Sequence, residues 1–161
     1  MCNLDTGESA KATLRSAGWF PGRAVDIGSY VKSWAGRGIV VNRNAENLCR
    51  EFGGLKIIHP PHVNVGSEEY SDFTNLDPVC AVDGISDTPL KEYSKIAGES
   101  LCPVGTNRSH MTVLVGASGR VLAGVDNYLF EIGANRVEAF NRICAGLPPK
   151  KIGEWAPMMD S

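Results

Sequence analysis

The 161-residue chain contains no apolar run near the roughly 20 residues that cross a bilayer, so no membrane-spanning helix is expected. It also has little excess of either charge. A formal net charge of −2 argues against nucleic-acid binding through a broad basic face. Its five cysteines, Cys2, Cys49, Cys80, Cys102 and Cys144, are odd in number and irregularly spaced, with no Cys-x-x-Cys. That excludes a complete disulfide framework and a zinc ribbon, and leaves most of them as small apolar core residues. Neither a Gly-x-Ser-x-Gly elbow nor a Gly-x-x-x-x-Gly-Lys-[Ser/Thr] phosphate loop occurs. The first residues, Met1 to Glu8, lack a basic stretch followed by an apolar one, so a secretory signal is not expected and a cytoplasmic location is.

What is present describes one ordinary globular domain, with 43% hydrophobic and 21% charged residues. Ile27, Tyr30, Val31 and Trp34 recur at helical spacing ahead of Gly36 and Gly38. Ala45, Leu48, Cys49 and Phe52 repeat the pattern, with Asn44 as the expected N-cap and Gly53 beyond the end. Thr88-Pro89 reads as a third helix start, with Leu90, Tyr93 and Ala97 on one face. Val137, Phe140 and Cys144 mark the last helix, and Leu14 and Ala17 a short first one. Leu55–Ile58 reads as a strand. Thr112–Val115, Arg120–Ala123 and Tyr128–Ile132, separated by Gly116–Gly119 and Asp126-Asn127, predict a three-strand antiparallel meander. The class is α+β, an antiparallel sheet with helices packed largely on one side. Residues after Pro149 show no period and read as a tail.

Chemistry-bearing residues are sparse. His59 and His62 flank Pro60-Pro61, whose extended geometry separates i and i+3 by roughly 9 Å, too far for a shared tetrahedral zinc. No metal and no cofactor are expected. Cys49 lies on an apolar helix face, where burial raises a thiol's pKa and quenches nucleophilicity. Cys102 and His110 are the one pair that could form a thiol hydrolase, although nothing local activates either. Trp19 and Phe20 sit between glycines beside Pro21, a compact turn whose rings plug or cover a core. Arg23, next to that turn, is expected to pin a carboxylate or a carbonyl.

Charge is distributed unevenly. Residues 66–100 hold eight acidic side chains against Lys91 and Lys95. Glu68, Glu69, Asp72, Asp77, Asp83 and Asp87 follow one another with no Lys or Arg between them, and Tyr70 and Phe73 lie among them as possible anchors. Asp77-Pro78 and Asp83-Gly84 read as turns projecting carboxylates outward. This segment is either a solvated face or a partner-binding surface.

Together, Gly18-Trp19-Phe20-Pro21-Gly22-Arg23, Phe52-Gly53-Gly54, Pro103-Val104-Gly105, Gly119-Arg120-Val121 and Ile132-Gly133 resemble the SUKH superfamily of bacterial immunity proteins, specifically its third family. The resemblance divides the chain into a lead-in (1–13), a SUKH-like domain (14–147) and a tail (148–161). It departs from the family pattern at Gly116, where the strand often carries an acidic residue. It implies an α+β binding module rather than an enzyme, one that neutralises a polymorphic toxin by protein–protein contact. The toxin would be a nuclease or nucleic-acid deaminase, with no direct nucleic-acid or membrane contact by this chain. In this reading Trp19, Arg23, Phe52, Gly53 and Gly54 are structural.

Overall fold

The computed structural model describes residues 8–59, 72–107 and 110–156. In chain order the elements are α1 (Glu8–Ser16), α2 (Gly28–Gly36), α3 (Arg43–Phe52), β1 (Lys56–His59), β2 (Asp72–Asn75), α4 (Pro78–Gly84), α5 (Asp87–Ala97), β3 (Leu101–Asn107), β4 (Thr112–Gly116), β5 (Val121–Val125), β6 (Tyr128–Gly133), α6 (Arg136–Cys144) and β7 (Lys150–Glu154). The seven strands form one antiparallel sheet in the order of the sequence, so the expected three-strand meander, β4–β5–β6, is part of a larger one.

Both faces of the central strands are covered, which is why β4 is buried along its whole length and reads as an unbroken apolar run. Val113, Val115, Val121 and Ala123 face the larger core, where Leu14 of α1, Trp34 of α2, Leu48 and Phe52 of α3 and Phe140 of α6 meet. Leu114, Leu122 and Leu129 face the other way, under Tyr93, Leu90 and Ile96 of α5. The helices are thus gathered mainly on one side, with α5 alone packed on the opposite smaller core.

Several local expectations are corrected. The N-cap of α3 is Asn42, whose side chain accepts from Ala45 N, while Asn44 sits inside the helix and donates to Ala117 O at 2.9 Å. Helix α5 starts after Ser86, placing Pro89 third in the helix, where no intrahelical N–H is needed. Asp77-Pro78 is a helix start, not a turn: Asp77 accepts from Val79 N and Cys80 N, and Pro78 occupies the first position of α4. Strand β3 went unread because Pro103 and Gly105 interrupt it; the β3–β4 register shifts there, and Trp34 Nε1 takes the Pro103 carbonyl at 2.8 Å.

The segment expected as a tail supplies β7, paired antiparallel with β6 from Tyr128↔Glu154 to Glu131↔Lys150, with a register shift between Leu129 and Phe130. Trp155 then packs edge-on against Tyr93, ring centroids 5.2 Å apart. At the other end α1 begins within the expected lead-in, with Ala10 already buried.

Candidate interaction surface

The Gly-Trp-Phe-Pro-Gly-Arg stretch is a clamp on the C-terminal end of α3. Pro21 and Gly22 (φ +83°) form a tight turn closed by Arg23 N donating to Phe20 O at 3.1 Å. Trp19 is buried, stacked on Phe52 at 6.3 Å, and its Nε1 donates to Glu51 Oε2 at 2.9 Å. Phe20 faces solvent, 56% exposed. The Arg23 guanidinium donates to Glu51 O at 2.6 Å and Gly53 O at 2.8 Å, capping carbonyls that the helix leaves unpaired. Gly53 has no room for a side chain, since a Cβ there would meet Cys49 O and come within 2.7 Å of Tyr30 Cε2. Gly54 adopts φ +84° beside it. The polar groups of Trp19 and Arg23 are thus engaged within the fold itself.

A second lock joins the α5–β3 corner to the β4–β5 turn. Glu99 accepts from Ser118 N at 2.7 Å, Ser118 Oγ at 2.9 Å and Arg120 Nε at 3.1 Å, and Arg120 Nη2 reaches Ala97 O at 2.6 Å. Partial burial pushes the Glu99 carboxyl up, but the Ser118 and Arg120 hydrogen bonds outweigh it and hold its pKa below the ordinary value. Its Oε1 lies against Gly116 where a Cβ would begin, so a carboxylate does cover this position, but from the α5–β3 corner.

The eight residues expected to face a partner are not equivalent. Glu68, Glu69 and Tyr70 lie outside the described residues. Asp72 is only 2% exposed, so it is no outward carboxylate; its Oδ1 accepts from Phe73 N at 2.7 Å. Two-residue alternation in β2 turns Asp72 and Thr74 inward. Asp77 is occupied as the α4 cap. Phe73 is half-buried on the other face, opposite Ile58 in the β1–β2 register, with Lys56 Nζ 4.5 Å from its ring centroid. Asp83 and Asp87 are exposed at the α4–α5 corner, and Asp87 pairs with Arg37 at 2.8 Å.

The structure does not bring together Cys102 and His110, the pair of the thiol-hydrolase alternative. Cys102 is fully buried near the start of β3, while His110 lies at the far end of the β3–β4 hairpin, its N–H donating to Asn107 O at 3.1 Å. Five residue steps along the strand, about 16 Å, lead from Cys102 to Asn107. Burial raises the Cys102 thiol far from reactivity, Cys49 to about 12 and Cys144 to about 11. Exposed Cys80 is also raised, chiefly by its hydrogen bond to Asp77. His59 is buried, with Nε2 2.8 Å from Thr74 Oγ1. Among the described residues no group of three or more His, Cys, Asp or Glu could hold a metal ion, and no helix is long and apolar enough to cross a membrane.

Sequence reasoning missed Glu51, Arg37 and Val40. Glu51 bridges Trp19 and Arg136, with Oε1 3.4 Å from Arg136 Nη1. Its helical position looks solvent-facing until the Trp19 turn closes over it. Arg37 ties α2 to the α4–α5 corner through Val82 O at 2.7 Å and Ile85 O at 2.9 Å. Val40 is 69% exposed in the α2–α3 loop, and no periodicity marks such a residue.

A small α+β module thus emerges in which many polar side chains, those of Arg23, Arg37, Asn42, Glu99 and Arg120 among them, lock its own backbone or one another. The chain belongs to the SUKH-3 immunity protein family, whose model matches residues 6–146. No curated protein and no solved structure matches the chain.

Proposed function

We propose that this protein neutralises a polymorphic bacterial toxin, a nuclease or nucleic-acid deaminase, by binding its toxic domain directly in the cytoplasm, without catalysis of its own. The family match over residues 6–146 carries the reading. The burial of Cys49 and Cys102, which raises both thiols, and the separation of Cys102 from His110 support it. Toxins that act on nucleic acid need basic clefts, and an acidic surface both fits and steers such a partner. The partner-facing residues are the acidic ones that the fold leaves outward, Asp83 and Asp87, joined by Glu68, Glu69, Tyr70 and Phe73.

The test is co-expression with the product of the adjacent upstream gene. Restored growth together with co-purification is the expected result. Growth restored without a complex, or lost in a folded variant of Cys49, Cys102 or His110 that still binds, would replace binding by chemistry.

A further inference from the structure

Between the α2–α3 loop and α5 the surface opens into a groove of about 280 Å³. Ile39, Leu90 and Leu101 supply its apolar lining, and Val40 stands on its rim, 69% exposed. This is below the roughly 300–1,000 Å³ of pockets that enclose small molecules, and the groove is open, so it suits a side chain presented by another protein.

The loop on its rim is held at both ends. On one side Arg37 donates to Val82 O, Ile85 O and Asp87 Oδ1, and Ile39 N donates to Trp34 O at 2.9 Å. On the other, Asn42 Nδ2 donates to Val115 O at 3.0 Å while its Oδ1 caps α3. Val40 is therefore kept in water by a loop that has little freedom to withdraw it. A preformed apolar rim of this kind lowers the ordering cost of binding.

Charge gives the groove a direction. At the α4–α5 corner Asp83 is exposed and makes no ion pair among the described residues. The Asp87 side chain is 89% exposed and meets Arg37 through Oδ1. Lys91 lines the groove one helical turn beyond Asp87. Arg37 also lines the groove and offsets part of Asp87, so the corner's open negative charge rests on Asp83 and on the part of Asp87 that Arg37 leaves, and a cation is disfavoured past Lys91.

We propose that this groove anchors the toxin: an apolar side chain of the toxin enters between Val40 and Leu90, and a neighbouring Lys or Arg of the toxin sits on Asp83 and Asp87. This rests on the immunity reading and adds where the partner is held.

The experiment measures binding kinetics of the purified product of the adjacent upstream gene against the parent and three variants whose folding is verified by circular dichroism. Val40→Asp should raise the off-rate at least tenfold. Lys91→Glu should speed association at low salt by enlarging the acidic corner. Leu147→Asp, at an exposed apolar position outside the groove, should change neither rate by more than twofold. Val40→Asp within twofold of the parent, or Lys91→Glu slowing association, would overturn the groove while leaving toxin binding intact. A parent that neither binds nor protects would instead remove the immunity reading itself. Should Val40→Asp alter the sedimentation of the chain alone, the groove is a contact between two copies and the toxin assignment is wrong.

Discussion

Truncating Phe52 to alanine tests the core on which the clamp rests. Its ring is fully buried, 4.2 Å from the Phe140 centroid and 6.3 Å from that of Trp19. Exposing the equivalent apolar surface costs about 2–3 kcal/mol. If half of roughly 100 Å³ of vacated volume stays open, at about 24 cal/mol per Å³, the cavity adds about 1 kcal/mol. Losing the ring contacts adds about 0.5–1 kcal/mol. The sum, about 4 kcal/mol, is a large share of the stability of a domain this size. In urea, with a slope of about 2 kcal/mol per molar, the midpoint should fall by about 2 M with the slope unchanged. Phe20→Ala, one residue from Trp19 but solvent-facing, should stay within about 0.5 kcal/mol of the parent. A loss below 1 kcal/mol for Phe52→Ala would refute the placement of the α3 stripe against the sheet.

Alkylation of the native protein at neutral pH should label Cys80 among the four described cysteines and reach Cys49, Cys102 and Cys144 only after denaturation; peptide mapping that finds Cys102 modified first would revive the hydrolase. Glu99 has a folded-state pKa below its unfolded value of 4.5, so its contribution is full above about pH 4.5 and disappears as pH falls through the lower folded value. Glu99→Gln should therefore be less stable than the parent at pH 7, with the gap closing towards pH 3 in denaturant titrations; a gap independent of pH would contradict the lock. Glu68→Lys with Glu69→Lys should slow association with a basic toxin at low salt, an effect that 0.5 M salt should largely erase; identical rates would return that stretch to a solvated role.

Much of the fold was legible where one residue type has one physical use. Trp34, Leu48, Phe52 and Phe140 announced their helices by spacing, and the Gly116–Gly119 and Asp126-Asn127 turns announced the meander. What escaped reading shares a cause: the decisive partner lies far along the chain. Pro103 looks like a strand breaker until Trp34, 69 residues earlier, takes its carbonyl. Lys150 and Lys151 look like a polar tail, yet charged residues are how an edge strand avoids pairing with strangers, and β7 is such an edge. The Asp77-Pro78 pair could have been read correctly from local chemistry alone, because an Asp cap followed by proline is a helix start as readily as a turn. The site was less legible than the fold. Arg23 was foreseen as a pin, but neither the Val40 groove nor the Arg37 brace leaves a signal in spacing.

The acidic segment shows why composition overstates a surface. Of its eight carboxylates, Asp72 is turned inward by strand alternation and Asp77 caps a helix. Asp87, Glu92 and Glu99 pair with Arg37, Lys95 and Arg120. Exposed pairs such as Glu92–Lys95 add little stability, about 0–1 kcal/mol each. They matter more for what they cancel, since a pair seen from beyond a Debye length of about 10 Å at 0.1 M salt presents almost no net charge. The field that a diffusing partner meets is therefore carried by fewer groups than the sequence count suggests. Among the described residues of the segment it centres on Asp83, with the part of Asp87 that Arg37 does not neutralise. In the complex we propose, local complementarity at the α4–α5 corner, combined with an apolar anchor held open beside it, contributes more to recognition than bulk acidity.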